Sequence, residues 1–550
     1  MVRSSGQSEY TMSDSKARKT VFVRDATGLV KQISGMDALG MCVTQMGLLY
    51  VFNVVAFWPA FYPQANMLLG PFIGLLLVLP IAGMYVMFSI AIPRSGGDYV
   101  WVGRVFHPSV GFITNFAFTI LSISVVGAVA PWIGQWSIAQ LYYDLGILDK
   151  NSAYLNIANS LQTPTSAFWI SVVFIVIAGL IVMTSSRLAA RTVKYWTVLS
   201  VIIGVVFIAT VLSAGSGVFA QNFNSLSGSN MTYDQIISAG QQSGAYNGVP
   251  PLISSASLYA GALGLLGYLG FNSSAYFAGE TKRNHRTQIM AQLGGTLLFA
   301  AFTTVMIAVE YFGEGPSFVN SMAALWISGS SSFPYLVGTP PLASGLSMFW
   351  TQNQVLIAIF TLSFGLTAEV MNVSIFFTLS RNLFAWSFDR VAPSVFANIN
   401  PRTRTPLYAV GIMTLVGLLF TYISIFQYGL LATLFTYGTA GTFIVFLIVS
   451  VAAIAYPFKR KDIFESAHPL SQKKIAGVPL ISILGVLGVV VSLITVYAIL
   501  LPAIGNVGSI FLTGIIPTFA VGAIIYALVW GIRRSQGIDL NLLQKQIPPE

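Results

Sequence analysis

The sequence predicts an all-α polytopic membrane protein with 12 transmembrane helices. Three observations carry that expectation. Of its 550 residues, 55% are hydrophobic and only 8% are charged, with a mean hydropathy of +0.76, whereas a soluble globular chain carries about 25% charged residues. The apolar residues fall in runs long enough to cross hydrocarbon, which takes about 20 residues per helix. The cations sort onto alternate connections between those runs.

Taken in order, the runs are 36–58, 67–92, 109–141, 165–184, 192–213, 252–280, 288–312, 352–386, 406–426, 429–456, 478–502 and 509–532. The third is long enough to tilt strongly or to bend at Pro131. The eighth emerges at Ser380–Arg390. Residues 1–34 form a polar tail without the apolar core of a cleaved signal peptide. The resulting divisions are a first repeat 35–213, an outer loop 214–251, a second repeat 252–456, a cytoplasmic loop 457–477, two further helices within 478–533 and a cytoplasmic tail 534–550.

With the N-terminus inside, all but one of the 27 Lys and Arg residues fall on the inner side, the exception being Lys150. One span too many or too few would flip every later loop and scatter these charges, so the pattern supports both the count and cytoplasmic termini. The net charge of +10 is thereby a topology signal, which excludes nucleic-acid binding. A multi-pass protein of the plasma membrane is the expected setting, with the bilayer as its principal partner. The outer stretches 214–251 and 314–351 are rich in Ser and Gly, and Asn230–Met231–Thr232 matches a glycosylation sequon.

Several chemistries are left without residues. The single cysteine, Cys42, allows no intrachain disulfide. His107, His285 and His468 lie far apart in the chain, which argues against a histidine metal site. No phosphate-binding GxxxxGK[ST] motif is present, so ATP is not the direct energy source. No His or Asp lies well inside a predicted span, which leaves an intramembrane enzyme without a catalytic constellation, and no cofactor is expected.

Two runs look interrupted. Gly261–Arg286, GALGLLGYLGFNSSAYFAGETKRNHR, carries glycines at 261, 264, 267 and 270. Each costs about 1 kcal/mol against Ala in a helix interior. They either let helices approach closely or mark unwinding near Gly267–Gly270 that exposes backbone to a ligand. Asp37–Tyr50, DALGMCVTQMGLLY, places Gly40 and Gly47 around polar Thr44 and Gln45. These two polar residues either bond a neighbouring helix or belong to a second break. Interrupted spans at matching positions of two halves are the mark of an inverted-repeat transporter with a midplane site.

Three further stretches carry a family resemblance. Ile92–Phe112, IPRSGGDYVWVGRVFHPSVGF, resembles the loop between helices two and three of the amino acid–polyamine–organocation transporters. Tyr268–Lys282, YLGFNSSAYFAGETK, is similar to their sixth helix. Ser380–Pro406, SRNLFAWSFDRVAPSVFANINPRTRTP, resembles the end of their eighth. The resemblance runs from about Gly35 to Arg534 and implies a LeuT-like 5+5 inverted repeat plus two C-terminal helices. It implies a secondary-active transporter working by alternating access, with an amino acid bound at broken helices one and six. Its carboxylate would meet Thr44, Gln45, Met46 and Gly47. Its amine would meet carbonyls at Gly267, Tyr268, Leu269 and Gly270, with Phe271 and Asn272 beside the side chain. Half-helix ends suit both charges.

The first break departs from the family pattern, reading Thr44–Gln45–Met46–Gly47 with one glycine. On helix five, Ser200 falls near the place where some relatives carry a lysine, so that a hydroxyl ligand for sodium near Ser200 and Ser374 becomes conceivable. The coupling ion is accordingly a proton or sodium. Glu369, in the eighth run, is an intramembrane acid and a functional candidate by default. Glu310, at the outer end of the seventh, reads as facing water. Asp98 and Glu280 read as loop acids that pair with nearby Arg or Lys and act in gating, as do Asp389 and Arg390. Two alternatives remain: a polyamine or other organic cation carrier, which needs acids in its pocket, and a non-transporting amino acid sensor of the same fold.

Overall fold

An apolar chain in hydrocarbon must satisfy its own backbone polar groups, and an α-helix does so without outside partners. The computed structural model describes residues 29–49, 59, 64–226, 231–333, 339–427, 431–500 and 511–545. Among them, ten helices are long and apolar enough to cross a membrane.

In chain order, α1 (Gly35–Met46) is short and capped by Ser34, whose Oγ accepts the Asp37 N–H at 3.2 Å. Then come α2 (Gly70–Ala91) and the short α3 (Asp98–Val105). Next are α4 (Pro108–Leu148), α5 (Pro164–Thr184) and α6 (Ser186–Ala214). The outer helices α7 (Ser216–Leu226) and α8 (Tyr233–Gln242) precede α9 (Ser255–Gly264). They are followed by α10 (Asn284–Glu314), the outer α11 (Pro316–Ile327) and α12 (Gln354–Phe388). Last come α13 (Leu407–Phe426), α14 (Leu431–Lys459), α15 (Leu480–Leu500) and α16 (Thr513–Ser535).

The predicted spans missing from the ten are the two that looked interrupted. Residues 252–280 do not form one helix. After α9 the chain runs through a 3-10 turn at Leu265–Tyr268, an extended Leu269 and Gly270 at φ +111°, then through 3-10 turns at Ser273–Tyr276 and Ala278–Glu280. The first run stops at Met46, where Gly47 takes φ +73° and closes the helix by donating to the Thr44 and Val43 carbonyls. Most of the rest of that run lies outside the described residues, as do Asn230 of the sequon and most of the N-terminal tail.

One reading, the exposure of Glu310, is corrected, and two others gain detail. The third span passes through Pro131 without ending, and the wide π-helical turn Ile133–Ile138 follows it directly, a usual way for a helix to absorb a missing backbone donor. Glu310 is buried, not water-facing. Its solvent is excluded by an outer layer in which 214–251 and 314–351 fold into α7, α8 and α11. Together with the 3-10 turn Gly345–Phe349, these pack Phe219, Phe223, Phe318, Phe349 and Trp350 into a second apolar core. Finally, His285 and His468 stack with ring centroids 4.8 Å apart and planes 16° from parallel.

α1 packs against α6, α10, α12 and the turn at 273–276. The two interrupted segments therefore lie side by side within the bundle, surrounded by uninterrupted helices.

Candidate functional site

Gly270 is where the two breaks touch. A Cβ there would stand 2.7 Å from the Gln45 carbonyl carbon and 2.8 Å from Gln45 Cβ, and its φ of +111° suits glycine alone. The chain can thus unwind against the end of α1 only because both requirements are met by the absence of a side chain. Gly261 and Gly264 differ: they face α2, where a Cβ would come within 2.6 Å of Ile73 Cγ2 and 2.5 Å of the Gly70 carbonyl oxygen respectively, and they serve helix packing.

A partly open cavity of about 440 Å³, counting its mouth, lies at this junction. Gln45, Ser122, Asn272 and Thr442 supply its polar lining; Phe118, Val125, Leu269, Met371 and Ile375 supply the apolar part, and Gly270 and Gly438 bring backbone to the surface. Among the described residues no Asp, Glu, Lys or Arg lines it. Such a lining suits a small molecule held by a few placed polar groups.

Four sequence-predicted binding residues reach this cavity: Gln45, Leu269, Gly270 and Asn272. Gln45 is held by the hydroxyls of Ser273 and Ser374, the latter at 3.1 Å, while Ser374 also approaches the Met41 carbonyl at 3.2 Å. The others point elsewhere. Thr44 turns to α6, with its hydroxyl 2.9 Å from that of Thr197. Met46 lies under Gly295 of α10. The Gly47 N–H is consumed by the helix cap. Gly267 sits in the 3-10 turn. Tyr268 donates to the Pro71 carbonyl at 2.5 Å, and Phe271 packs edge-on against Tyr85. Helical spacing could not tell which face of a broken segment looks inward, because the break resets the angle between its halves.

Ser200 is buried on α6, one turn beyond Thr197. Among the described residues no hydrogen bond joins it to Ser374. Glu369 is buried on α12, but five residues from Ser374 it lies about 140° around the helix, away from α1. Among the described residues neither of its carboxylate oxygens makes a well-formed hydrogen bond, and Asn372, about one turn along the helix, is a polar neighbour. Cys42 is buried on the face of α1 that meets Gly295.

The face that carries the basic loops is closed by paired charges. Glu280, at the end of the broken segment, receives Arg381 Nε at 2.8 Å and Nη2 at 3.1 Å. Both side chains are essentially inaccessible. Arg381 also donates to Ser186 at 2.8 Å, so one guanidinium joins α12, α6 and the broken segment. Arg104 of α3 pairs with Asp389 at 3.2 Å. Lys194 of α6 pairs with Asp37 at the start of α1, 3.0 Å away. Backbone bonds add to this: Gln32 and Ile33 donate to the Glu280 carbonyl, and Gly96 to that of Tyr276.

Asp98 does not pair with a cation as the sequence suggested. It is fully buried and accepts from Asn115 Nδ2 at 2.5 Å and Tyr276 Oη at 2.8 Å. Loss of hydration outweighs these bonds and pushes its carboxyl up to about 6. Tyr276, Asn115, Phe118 and Ser273 were not singled out from the sequence; none carries a charge or stands in a recognisable spacing.

A family model described as amino acid permease matches residues 33–530. No curated protein matches the chain. The match covers the interrupted segments, the cavity and the paired-charge face together, and on it the chain belongs to the amino acid permeases of the amino acid–polyamine–organocation superfamily.

Proposed function

We propose that this permease is a secondary-active transporter that carries an amino acid by alternating access, binding it in the cavity where the two interrupted segments meet. The observation that carries the reading is that junction: Gly270 against Gln45, with an uncharged cavity beside it. A zwitterion needs groups for both charges. The turns around the second break use the carbonyls of Leu266, Tyr268 and Gly270, and Leu269, which lines the cavity, has the carbonyl offered to an ammonium. Gln45 and Asn272 supply amide groups from the two sides.

The fuller arrangement belongs to the same proposal. It has 12 spans in a 5+5 inverted repeat plus two helices, with repeats 35–213 and 252–456, cytoplasmic termini, and residence in the plasma membrane. The inner gate is the paired-charge face, with Glu280 and Asp98 among its parts. Sodium would sit near Ser200 and Ser374 if sodium drives the cycle, where the Met41 carbonyl is also at hand. An organic cation carrier is the weaker reading, because among the described residues no acid, Glu369 included, lines the cavity.

The test is uptake into proteoliposomes with a panel of labelled amino acids, under imposed proton or sodium gradients. Accumulation of at least one member is expected. Neither accumulation nor exchange with preloaded substrate would refute transport and favour a sensor.

A further inference from the structure

Asp98 is a buried acid with neutral neighbours on every side. Its Oδ1 accepts from Asn115 of α4, and its Oδ2 from Tyr276 of the broken segment, with Tyr85 Oη of α2 at 3.5 Å. The cations on surrounding elements are committed elsewhere: Arg104 to Asp389, Arg381 to Glu280, and Arg460 to Asp462. The other titratable side chains packed around α3 are the phenols Tyr85, Tyr99, Tyr276 and Tyr456, neutral near pH 7. Asp539, ahead of the terminal helix that touches α3, acts on Tyr526 instead.

The same phenol reaches toward the cavity. Asn272, on the cavity wall, donates to Tyr276 Oη at 3.4 Å. Phe118, also on that wall, stacks on the Tyr276 ring at 4.7 Å with planes 8° apart. On the other side the ring seats on Gly97, where a Cβ would come within 2.9 Å of it. Any ligand that shifts Asn272 or Phe118 therefore moves the hydroxyl that holds Asp98.

We propose that Asp98 is the coupling-proton site of this transporter, and that Tyr276 links its protonation to the state of the cavity. The inference rests on the transporter reading above. With the basic face closed, the carboxyl is dry and prefers its neutral form. When α3 and the end of the broken segment part, water reaches the carboxyl and it returns to the ordinary carboxylate range. Proton binding and closure then favour each other reciprocally. The transfer balances. A hydronium admitted past Asn272 gives a proton to Tyr276 Oη and leaves as water, and the phenol passes its own proton to Asp98 Oδ2. One O–H bond breaks as each new one forms, and the tyrosine ends neutral.

The sign comes from burial. The ordinary value is 3.8 and the closed value is about 6, so the closed form binds the proton roughly a hundredfold more tightly than the open one. This bias toward closure is full below the ordinary value and is lost as pH rises through about 6.

The test uses the whole protein in proteoliposomes with whichever amino acid the uptake panel identifies. Wild type is expected to accumulate it under a pH gradient. Asp98→Asn should bring tracer only to equilibration, and Tyr276→Phe should slow gradient-driven accumulation, since the relay is lost, and move the pH midpoint of what remains upward, since the carboxylate loses a donor. Independently of any variant's folding, infrared difference spectra of wild type should show a carboxylic acid band that titrates near pH 6 and shifts on adding that amino acid. Absence of that band overturns the assignment. So does gradient-driven accumulation by Asp98→Asn that Glu369→Gln lacks, which would move the proton to Glu369. Wild-type exchange that ignores pH defeats this inference alone, whereas no exchange at all defeats the transporter reading.

Discussion

Replacing Gly270 with Ala tests whether the second break is a binding element or only a close contact. The new Cβ would meet the Gln45 carbonyl carbon at 2.7 Å and the Gln45 Cβ and Cγ at 2.8 Å, and the backbone would have to keep φ +111°. Holding a non-glycine residue in such a conformation costs about 1–3 kcal/mol, and overpacking adds about 1–3 kcal/mol. The chain can relieve both by moving the extended Leu269–Gly270 segment away from α1, which displaces the cavity wall. Gly264→Ala is the matched control. Its Cβ would strike the Gly70 carbonyl oxygen at 2.5 Å, also against backbone, but at the α2 contact rather than at the cavity. Both variants should melt at lower temperature in detergent. Only Gly270→Ala should weaken amino acid binding, by at least about tenfold, because loss of even 1.4 kcal/mol of complementarity has that effect. Thermal-shift titration with ligand reads both quantities from one sample. Wild-type affinity in Gly270→Ala, with destabilisation equal to that of Gly264→Ala, would mean that the glycine serves packing and that the cavity is not formed by the break.

The paired charges and buried hydroxyls set three further outcomes. Glu280→Gln leaves the buried Arg381 uncompensated and should lower stability by about 3–5 kcal/mol, with the double variant Glu280→Gln/Arg381→Met recovering much of it; a denaturation series on wild type, both single variants and the double variant decides. Thr44→Val removes the hydroxyl contact with Thr197 of α6, and should cost about 1 kcal/mol of stability with substrate preference unchanged in the uptake panel. A changed preference would return Thr44 to the cavity. The closed form should weaken by about 3 kcal/mol between low pH and neutrality, as Asp98 ionises through about 6. Accessibility of the basic face to a soluble protease at graded pH would show cleavage rising with pH in wild type and flat in Asp98→Asn.

Much of this architecture was legible because hydrocarbon imposes one rule along the whole chain. Ten of the predicted spans appear as long helices, and the exceptions are the segments whose glycines and polar residues had marked them. Gly261 and Gly264 pack whereas Gly270 permits the break, so both roles that the sequence offered for these glycines are found, at different positions along the segment. The cavity wall was only partly legible. Gln45, Leu269, Gly270 and Asn272 reach it, but Thr44, Met46, Tyr268 and Phe271 do not. A 3-10 turn and an extended residue rotate the downstream chain by an amount that no periodicity encodes. Partners distant in sequence were hidden for a related reason. Asp98 stands among arginines in sequence yet meets Asn115 and Tyr276 in space, and the two histidines separated by most of the second half come into ring contact. The outer layer was missed because its helices are polar on one side, and Ser and Gly-rich composition masks the aromatic residues they bury.

Cys42 turns the fold into its own reporter. It is the sole thiol of the chain and sits at 0% exposure on α1, close to the junction with the broken segment and α10. Its modification by a thiol reagent therefore requires α1 to draw away from its neighbours. The unaltered protein can be labelled without first stripping other cysteines. The rate of alkylation, followed by intact mass, then clocks how often this part of the bundle opens. Comparing that rate with and without a transported amino acid, at several pH values, would resolve motion of the first segment in a chain bearing no mutation at all.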